Sequence, residues 1–314
     1  MKTPTWLVPY LTLTFIWGGS FAFNKTALQS VTPLQLTAAR MVLGVATVWL
    51  FLVATRSIPH PTAGEWRHLA VVGTLGLALP FLLISFAQTR VTSVLAGLLN
   101  AATPLFAGLF ISVLIPAERP NRLQQCGLLL GFVGIGVLVG VWNLPAGSGV
   151  DAVGVAAMIG ATICYGFSTA FSRVSLSSSQ LSGAQLTGVQ LFCGAVLLSV
   201  VLPIDPGDSA GPMTVPIALC ILALGVLGTG LGMVLFWRII RQAGSTVAAT
   251  VTYAVPVVST TIGVLILNEG LHWNQLVGGA VVIGGVALTQ WDQLTGRSNV
   301  PNEQPASDIS GTRI

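Results

Sequence analysis

The sequence predicts an all-α membrane protein, with ten transmembrane helices arranged as two inverted five-helix repeats. Three observations carry that prediction. Charge is scarce: Asp, Glu, Lys and Arg make up 7% of the chain, against about a quarter in a soluble domain, and the mean hydropathy is +0.85. Apolar runs of about twenty residues recur from end to end, each long enough to cross a hydrocarbon core. Finally, one unit is written twice. Trp17-Gly-Gly-Ser-Phe-Ala-Phe-Asn-Lys25 returns as Tyr165-Gly-Phe-Ser-Thr-Ala-Phe-Ser-Arg173, at an offset of 148 residues. Gln35-Leu36-Thr37 returns as Gln185-Leu186-Thr187 and Gly44 as Gly194 at an offset of 150, and Pro104 returns as Pro256 at 152. Internal duplication of this kind decides the fold before any single element does.

The spans follow from the spacing of chain-turning and polar residues between apolar runs. Thr5–Phe23 and Leu34–Ala54 are divided by Thr32-Pro33; Ile58-Pro59-His60-Pro61 precedes His68–Gln88. Ser93–Ile115 stops at the segment from Pro116 to Asn121, and Gln124–Val141 completes the first repeat, residues 1–141. Asn143 to Val150 holds no Lys or Arg and reads as the linker. The second repeat, 151–291, holds Val153–Phe171, Leu181–Leu202, Val215–Ile239, Val247–Leu267 and Gln275–Trp291. Its breaks lie at Pro203 to Pro212 and at Asn268-Glu269-Gly270. Residues 292–314 turn polar and read as a disordered tail. Lys2 ahead of an apolar run has the flavour of a signal peptide, but cleavage would remove the first member of the repeat.

Basic residues set the orientation. One set of loops and helix ends carries Lys2, Arg56, Arg67, Arg119, Arg122, Arg173, Arg238, Arg241 and Arg297; the opposite set carries only Lys25 and Arg90. Both termini are therefore expected in the cytoplasm of a cell whose inner membrane the chain crosses. Five spans per repeat is an odd number, so the second copy enters the bilayer upside down. Inverted repeats are frequent in secondary transporters, with the substrate site near the midplane between the halves.

Several function classes lack their chemistry. Basic residues are scattered singly, so no nucleic-acid surface forms. Gly134-Ile-Gly136 lies inside a helix with no strand before it and is no nucleotide fingerprint. No paired carboxylates, catalytic set or metal-ligand spacing is present, and no cofactor is expected. Cys126, Cys164, Cys193 and Cys220 fall in apolar runs and read as buried free thiols. Gly127/Gly131, Gly136/Gly140 and Gly228/Gly232 are close-packing faces. Internal packing suffices to explain them, so the expected state is a monomer or a weak homodimer, in contact with lipid and a small-molecule substrate.

The doubled five-helix unit resembles the EamA domain of the drug/metabolite transporter superfamily. The matching pieces are Trp17-Gly-Gly-Ser-Phe, Leu36-Thr-Ala-Ala-Arg40, Thr103-Pro104-Leu105-Phe106, Glu118 before a glycine-rich apolar helix, Val255-Pro256 and Leu267-Asn268-Glu269. The resemblance spans about Trp6 to Trp291 and implies ten helices, a central cavity, cytoplasmic termini and export of amino acids, other metabolites or drugs. A multidrug or apolar-compound exporter of the same fold is the alternative. An intramembrane enzyme acting on lipid would need acid, base or metal-ligand residues clustered at one depth, and none are.

Candidate site residues come from the polar positions within spans. Arg40 lies about seven residues into the second span. A cation at that depth either faces the passage and binds an anionic substrate group, or snorkels outward. Gln190 stands at the matching place in the second repeat, so the two halves treat the substrate differently. Trp17 with Ser20, and Tyr165 with Ser168, form a symmetric set suited either to apolar or aromatic substrates or to helix packing. Asn100 and Tyr253 are hydrogen-bonding candidates beside Pro104 and Pro256, whose freed carbonyls also call for polar neighbours such as Thr103 and Thr252. Gln88 and Trp237, at span ends, are gate candidates. Glu118 and Glu269 either gate by pairing with a basic residue or cap the following helix. No Asp, Glu or His lies mid-span, which predicts a uniporter or exchanger, or coupling through a terminal carboxylate.

Overall fold

The computed structural model describes residues 4–116, 120–140, 151–205, 207 and 211–291. Glu118, the proposed linker and the polar tail lie outside the described residues. Within them the chain is helical and contains no strand. Ten helical segments follow in order: α1 Leu7–Ala27, α2 Pro33–Ala54, α3 Ala63–Gln88, α4 Ser93–Leu114, α5 Arg122–Val139, α6 Ala152–Ser175, α7 Gly183–Ile204, α8 Val215–Gly244, α9 Val247–Leu265 and α10 Trp273–Thr289. Eight of the ten, α2 to α9, are long and apolar enough to cross a membrane. The outer two differ from the expectation for physical reasons. α1 carries Thr12, Thr14, Ser20, Asn24, Lys25 and Thr26 along its 21 residues, and α10 has only 17. The chain is a multi-pass membrane protein whose outer surface exposes Val8, Leu50, Val113, Leu129, Val200 and Leu265, as contact with lipid requires. The four cysteines are free thiols, but none is fully buried: Cys126 is exposed on that apolar surface, and Cys164, Cys193 and Cys220 are half-buried.

Polar residues at the breaks start the helices. Thr32 accepts from the N–H of Gln35 at 3.1 Å, and the Gln35 amide oxygen accepts from the N–H of Thr32 at 3.2 Å. Ser182 and Gln185 repeat this reciprocal box on α7, so the duplicated Gln-Leu-Thr stretch begins each copy of the second helix in the same way. Asp151 starts α6, accepting from the N–H of Gly154 and pairing with Arg90, each at 2.9 Å. That N–H first, then the Arg90 guanidinium, holds the Asp151 carboxyl below the usual range.

Four helices depart from regular geometry where the cavity lies. Pro80 has no N–H for the carbonyl of Gly76, and α3 widens to π spacing over Thr74–Ala78 just before it. α8 does the same over Ala223–Leu231. α4 breaks after Asn100 because Pro104 cannot donate to the Asn100 carbonyl; the Thr103 hydroxyl takes that carbonyl instead, at 2.8 Å. α8 and α9 part at Gly244, whose φ of +86° favours glycine, and α9 carries Pro256 internally.

Glycines bring the helices together in exchanged pairs. Gly18 of α1 abuts Val258 of α9, and Gly166 of α6 abuts Phe106 of α4. Gly228 of α8 meets Ser20, while Gly76 of α3 meets Ser168. Gly44 of α2 lies against the π segment of α8, and Gly194 of α7 against the carbonyl of Gly73 in α3. α5 and α10 pack directly, with Gly127 and Gly285 in backbone contact. The remaining space at the centre is a cavity.

Candidate functional site

The cavity holds about 630 Å³ and is walled by α1, α2, α3, α4, α6, α8 and α9, with the adjoining ends of α5 and α10. Its two ends differ. At one, Asn24 and Gln88 are buried (1% and 0% exposed) and joined by a 2.7 Å bond from the Asn24 amide to Gln88 Oε1. Gln88 Nε2 donates to the carbonyl of Phe21 at 2.9 Å, and Ser85 donates to Asn24 Oδ1 at 3.1 Å. This buried amide cluster closes that end of the cavity. At the other end the lining includes exposed Arg173 with Gln124, Thr289 and Gln290, and there the cavity reaches the surface.

Arg40 forms part of the wall and does not snorkel. Its side chain is buried; Nε donates to Thr229 Oγ1 at 2.8 Å, and the guanidinium carbon sits 3.8 Å from the centre of the Phe81 ring. No described carboxylate pairs with it, since the ion pair among the described residues is Arg90 with Asp151. Among the described residues the lining carries two arginines, Arg40 and Arg173, and no Asp, Glu or His. Beside the buried Arg40 guanidinium an anion is favoured over a cation.

Around Arg40 the wall is aromatic. Trp17 Nε1 donates to the carbonyl of Gly228 at 3.0 Å, in the π segment of α8. Gly232 makes that position possible, because a Cβ there would stand 2.6 Å from the same nitrogen. The Trp17 ring lies 5.6 Å from Phe236, and Tyr165 faces Phe81 edge-on at 6.4 Å.

The candidates divide accordingly. Trp17, Ser20, Arg40, Asn100, Tyr165 and Gln88 lie on the wall. Asn100 Oδ1 is buried without a partner at the break in α4. Five others lie off it. Ser168 is buried against Gly76, where a Cβ would come within 2.2 Å of its hydroxyl. Gln190 packs its backbone carbonyl on Gly73, which sets it against α3 and off the cavity wall. Tyr253 stands behind the wall and donates to Gln290 Oε1, which lines it. Trp237 stacks over Gly183 and donates to Thr187 at 3.0 Å, a packing position on α7 rather than a cavity position. Glu269 accepts from Ser93 N at 2.8 Å, and from Ser93 Oγ and Val94 N at 2.9 Å. It thus caps α4 from across the bundle, not the helix that follows it in sequence.

Sequence reasoning missed Asn24, Phe81, Thr229 and Phe236. Asn24 was legible as the polar neighbour of Lys25 in the first repeated motif, and Thr229 as the hydroxyl inside the glycine run from Gly225 to Gly232.

Comparison with known proteins agrees with this architecture. The model of the EamA-like transporter family matches residues 5–140 and again 152–291. An uncharacterized transporter of Archaeoglobus fulgidus is 26% identical over 292 residues, covering 92% of this chain and 98% of its own. A protein of Streptantibioticus cattleyicolor named "Probable terminal-alkyne amino-acid exporter" is 25% identical over 282 residues, covering 88% of this chain and 91% of its own. A crystal structure with 22% identity superposes with a TM-score of 0.64, covering 94% of this chain and 99% of its own, which shows a shared fold.

Proposed function

The chain belongs to the EamA-like transporter family, a membrane transporter and not an enzyme, and from that premise we propose that it exports small metabolites bearing a carboxylate, amino acids or their relatives, across the inner membrane. The single observation that carries the substrate class is Arg40: a buried guanidinium on the cavity wall with no described carboxylate to neutralise it. An ion held this way is favourable only when an anion or water completes it. Trp17, Phe81, Tyr165 and Phe236 then offer apolar surface to the rest of the molecule. The Streptantibioticus relative's name points to the same class.

The proposed mechanism is alternating access between halves 1–141 and 151–291, ten spans in all, lying antiparallel across the bilayer. The exchanged glycine contacts support it, because three contacts made by one copy have counterparts in the other. The excess of basic residues on the terminus-bearing side supports cytoplasmic ends for the chain, so the shut amide cluster faces outward and the cavity opens inward. The carrier works as a monomer or a weak homodimer.

Uptake of radiolabelled amino acids and other carboxylates into proteoliposomes, with wild type and Arg40→Gln, tests the reading. The substitution should abolish carboxylate transport at unchanged protein level. Unimpaired transport by Arg40→Gln sinks the carboxylate assignment. Retained flux of carboxylate-free apolar compounds alone would favour the drug-exporter alternative.

A further inference from the structure

The reading that Arg40 takes the substrate's carboxylate leaves open what aims it, and the answer lies in the π-helical turn of α8. Thr229 is 2% exposed. Its hydroxyl donates to the carbonyl of Leu224, five residues back, at 3.0 Å. A hydroxyl has one hydrogen, so with that hydrogen spent Oγ1 can only accept, and what it accepts is the Nε–H of Arg40 at 2.8 Å. The widened turn is what puts the carbonyl five residues back within reach, and π turns concentrate at functional sites. Phe81 covers one face of the guanidinium at 3.8 Å. Gly44 on α2 completes the fit, since a Cβ there would stand 2.7 Å from Thr229 Cγ2.

We propose that Thr229 is a positioning residue that fixes Arg40 through Nε, leaving the Nη1–Nη2 edge as a rigid fork for a planar oxyanion. A guanidinium offers two edges for bidentate binding of a carboxylate. Thr229 occupies the one that includes Nε, so the substrate meets the other end-on. Thr229 also belongs to the second half and Arg40 to the first. The fork is complete only while α2 and α8 are docked, which makes oxyanion binding a property of their contact rather than of either helix.

The test uses full-length protein in proteoliposomes, with counterflow of radiolabelled phenylalanine and competition by phenylalaninamide, which lacks the carboxylate. Variants T229V, T229S and R40Q are compared at matched thermal stability in detergent. T229V keeps the shape and removes the hydroxyl. It should raise the half-saturation concentration about tenfold, the share of one hydrogen bond to a charged group, and erode the preference for the acid over the amide. The maximal rate should be unchanged, and T229S should restore the wild-type value. If T229V does not accumulate, T229A supplies the same comparison. A T229V carrier with wild-type half-saturation overturns the positioning role. So does T229S behaving like T229V. If R40Q removes acid preference while T229V leaves it intact, only the positioning role is lost. If R40Q changes nothing, or the wild type shows no counterflow, the carboxylate reading falls and this proposal with it.

Discussion

Glu269→Gln should unlatch the shut end of the cavity. The α3–α4 turn there is held from two sides. Lys25 Nζ donates to the carbonyls of Gln88 at 2.6 Å and Val91 at 2.9 Å, covering the end of α3. Glu269 accepts the free N–H groups of Ser93 and Val94 and the Ser93 hydroxyl, covering the start of α4. Hydrogen bonds to a charged group contribute about 1.5–3 kcal/mol each, and an anion at a helix N-terminus adds about 0.3–1 kcal/mol. Glutamine keeps the shape and one accepting oxygen. It removes the charge and turns an –NH₂ toward donors, so the shut state should lose about 2 kcal/mol, or roughly thirtyfold in its population relative to the open one. The assay is a cysteine-free chain carrying Ile84→Cys, on the wall near the amide cluster, labelled by an impermeant thiol reagent from the Lys25 side. Labelling should accelerate by about the same thirtyfold factor if the open state is rare in the parent. An unchanged labelling rate in a normally folded Glu269→Gln protein would refute the latch, and Glu269 would be a helix cap with no bearing on access.

Two other outcomes follow from the same geometry. Gly73→Ala places a Cβ 2.3 Å from the backbone carbonyl of Gln190, so α3 and α7 must separate. Overpacking costs about 1–3 kcal/mol, and the melting temperature in detergent should fall, whereas Gly64→Ala, with open space around it, should leave it level or higher; equal melting temperatures contradict the packing argument. Since no carboxylate or histidine among the described residues lines the cavity, counterflow should proceed at the same rate with the proton gradient collapsed by a protonophore, and its abolition would mean that protons are coupled through another group.

The duplicated unit was readable because hydropathy and glycine spacing are local properties. Gly18 and Gly166, matched at an offset of 148, turn out to make corresponding helix contacts. Arg40 was readable because an intramembrane cation stands out in any apolar run. The neutral residues were harder. Ser20 and Ser168 match in sequence, yet one lines the cavity and the other is shut behind Gly76; periodicity gives a helix face, not what covers it. α1 was expected to stop at Phe23 but runs to Ala27, because Asn24 and Lys25 find amide and carbonyl partners on α3 instead of water. The π turns left no mark in hydropathy, since nine residues at altered spacing shift an apolar stripe too little to register. Their only trace was Pro80 in α3 and the glycine run in α8.

α10 has 17 residues and its partner α5 has 18, which at 1.5 Å per residue reach only about 25–27 Å. A typical hydrocarbon layer is about 30 Å thick. In the ten-span arrangement proposed above, the bilayer on that flank has to thin or the pair must draw flanking side chains inward, at a fraction of a kcal/mol per ångström. Acyl-chain length thus becomes a control on the protein from outside, acting on a flank that meets the cavity only through the ends of its two helices.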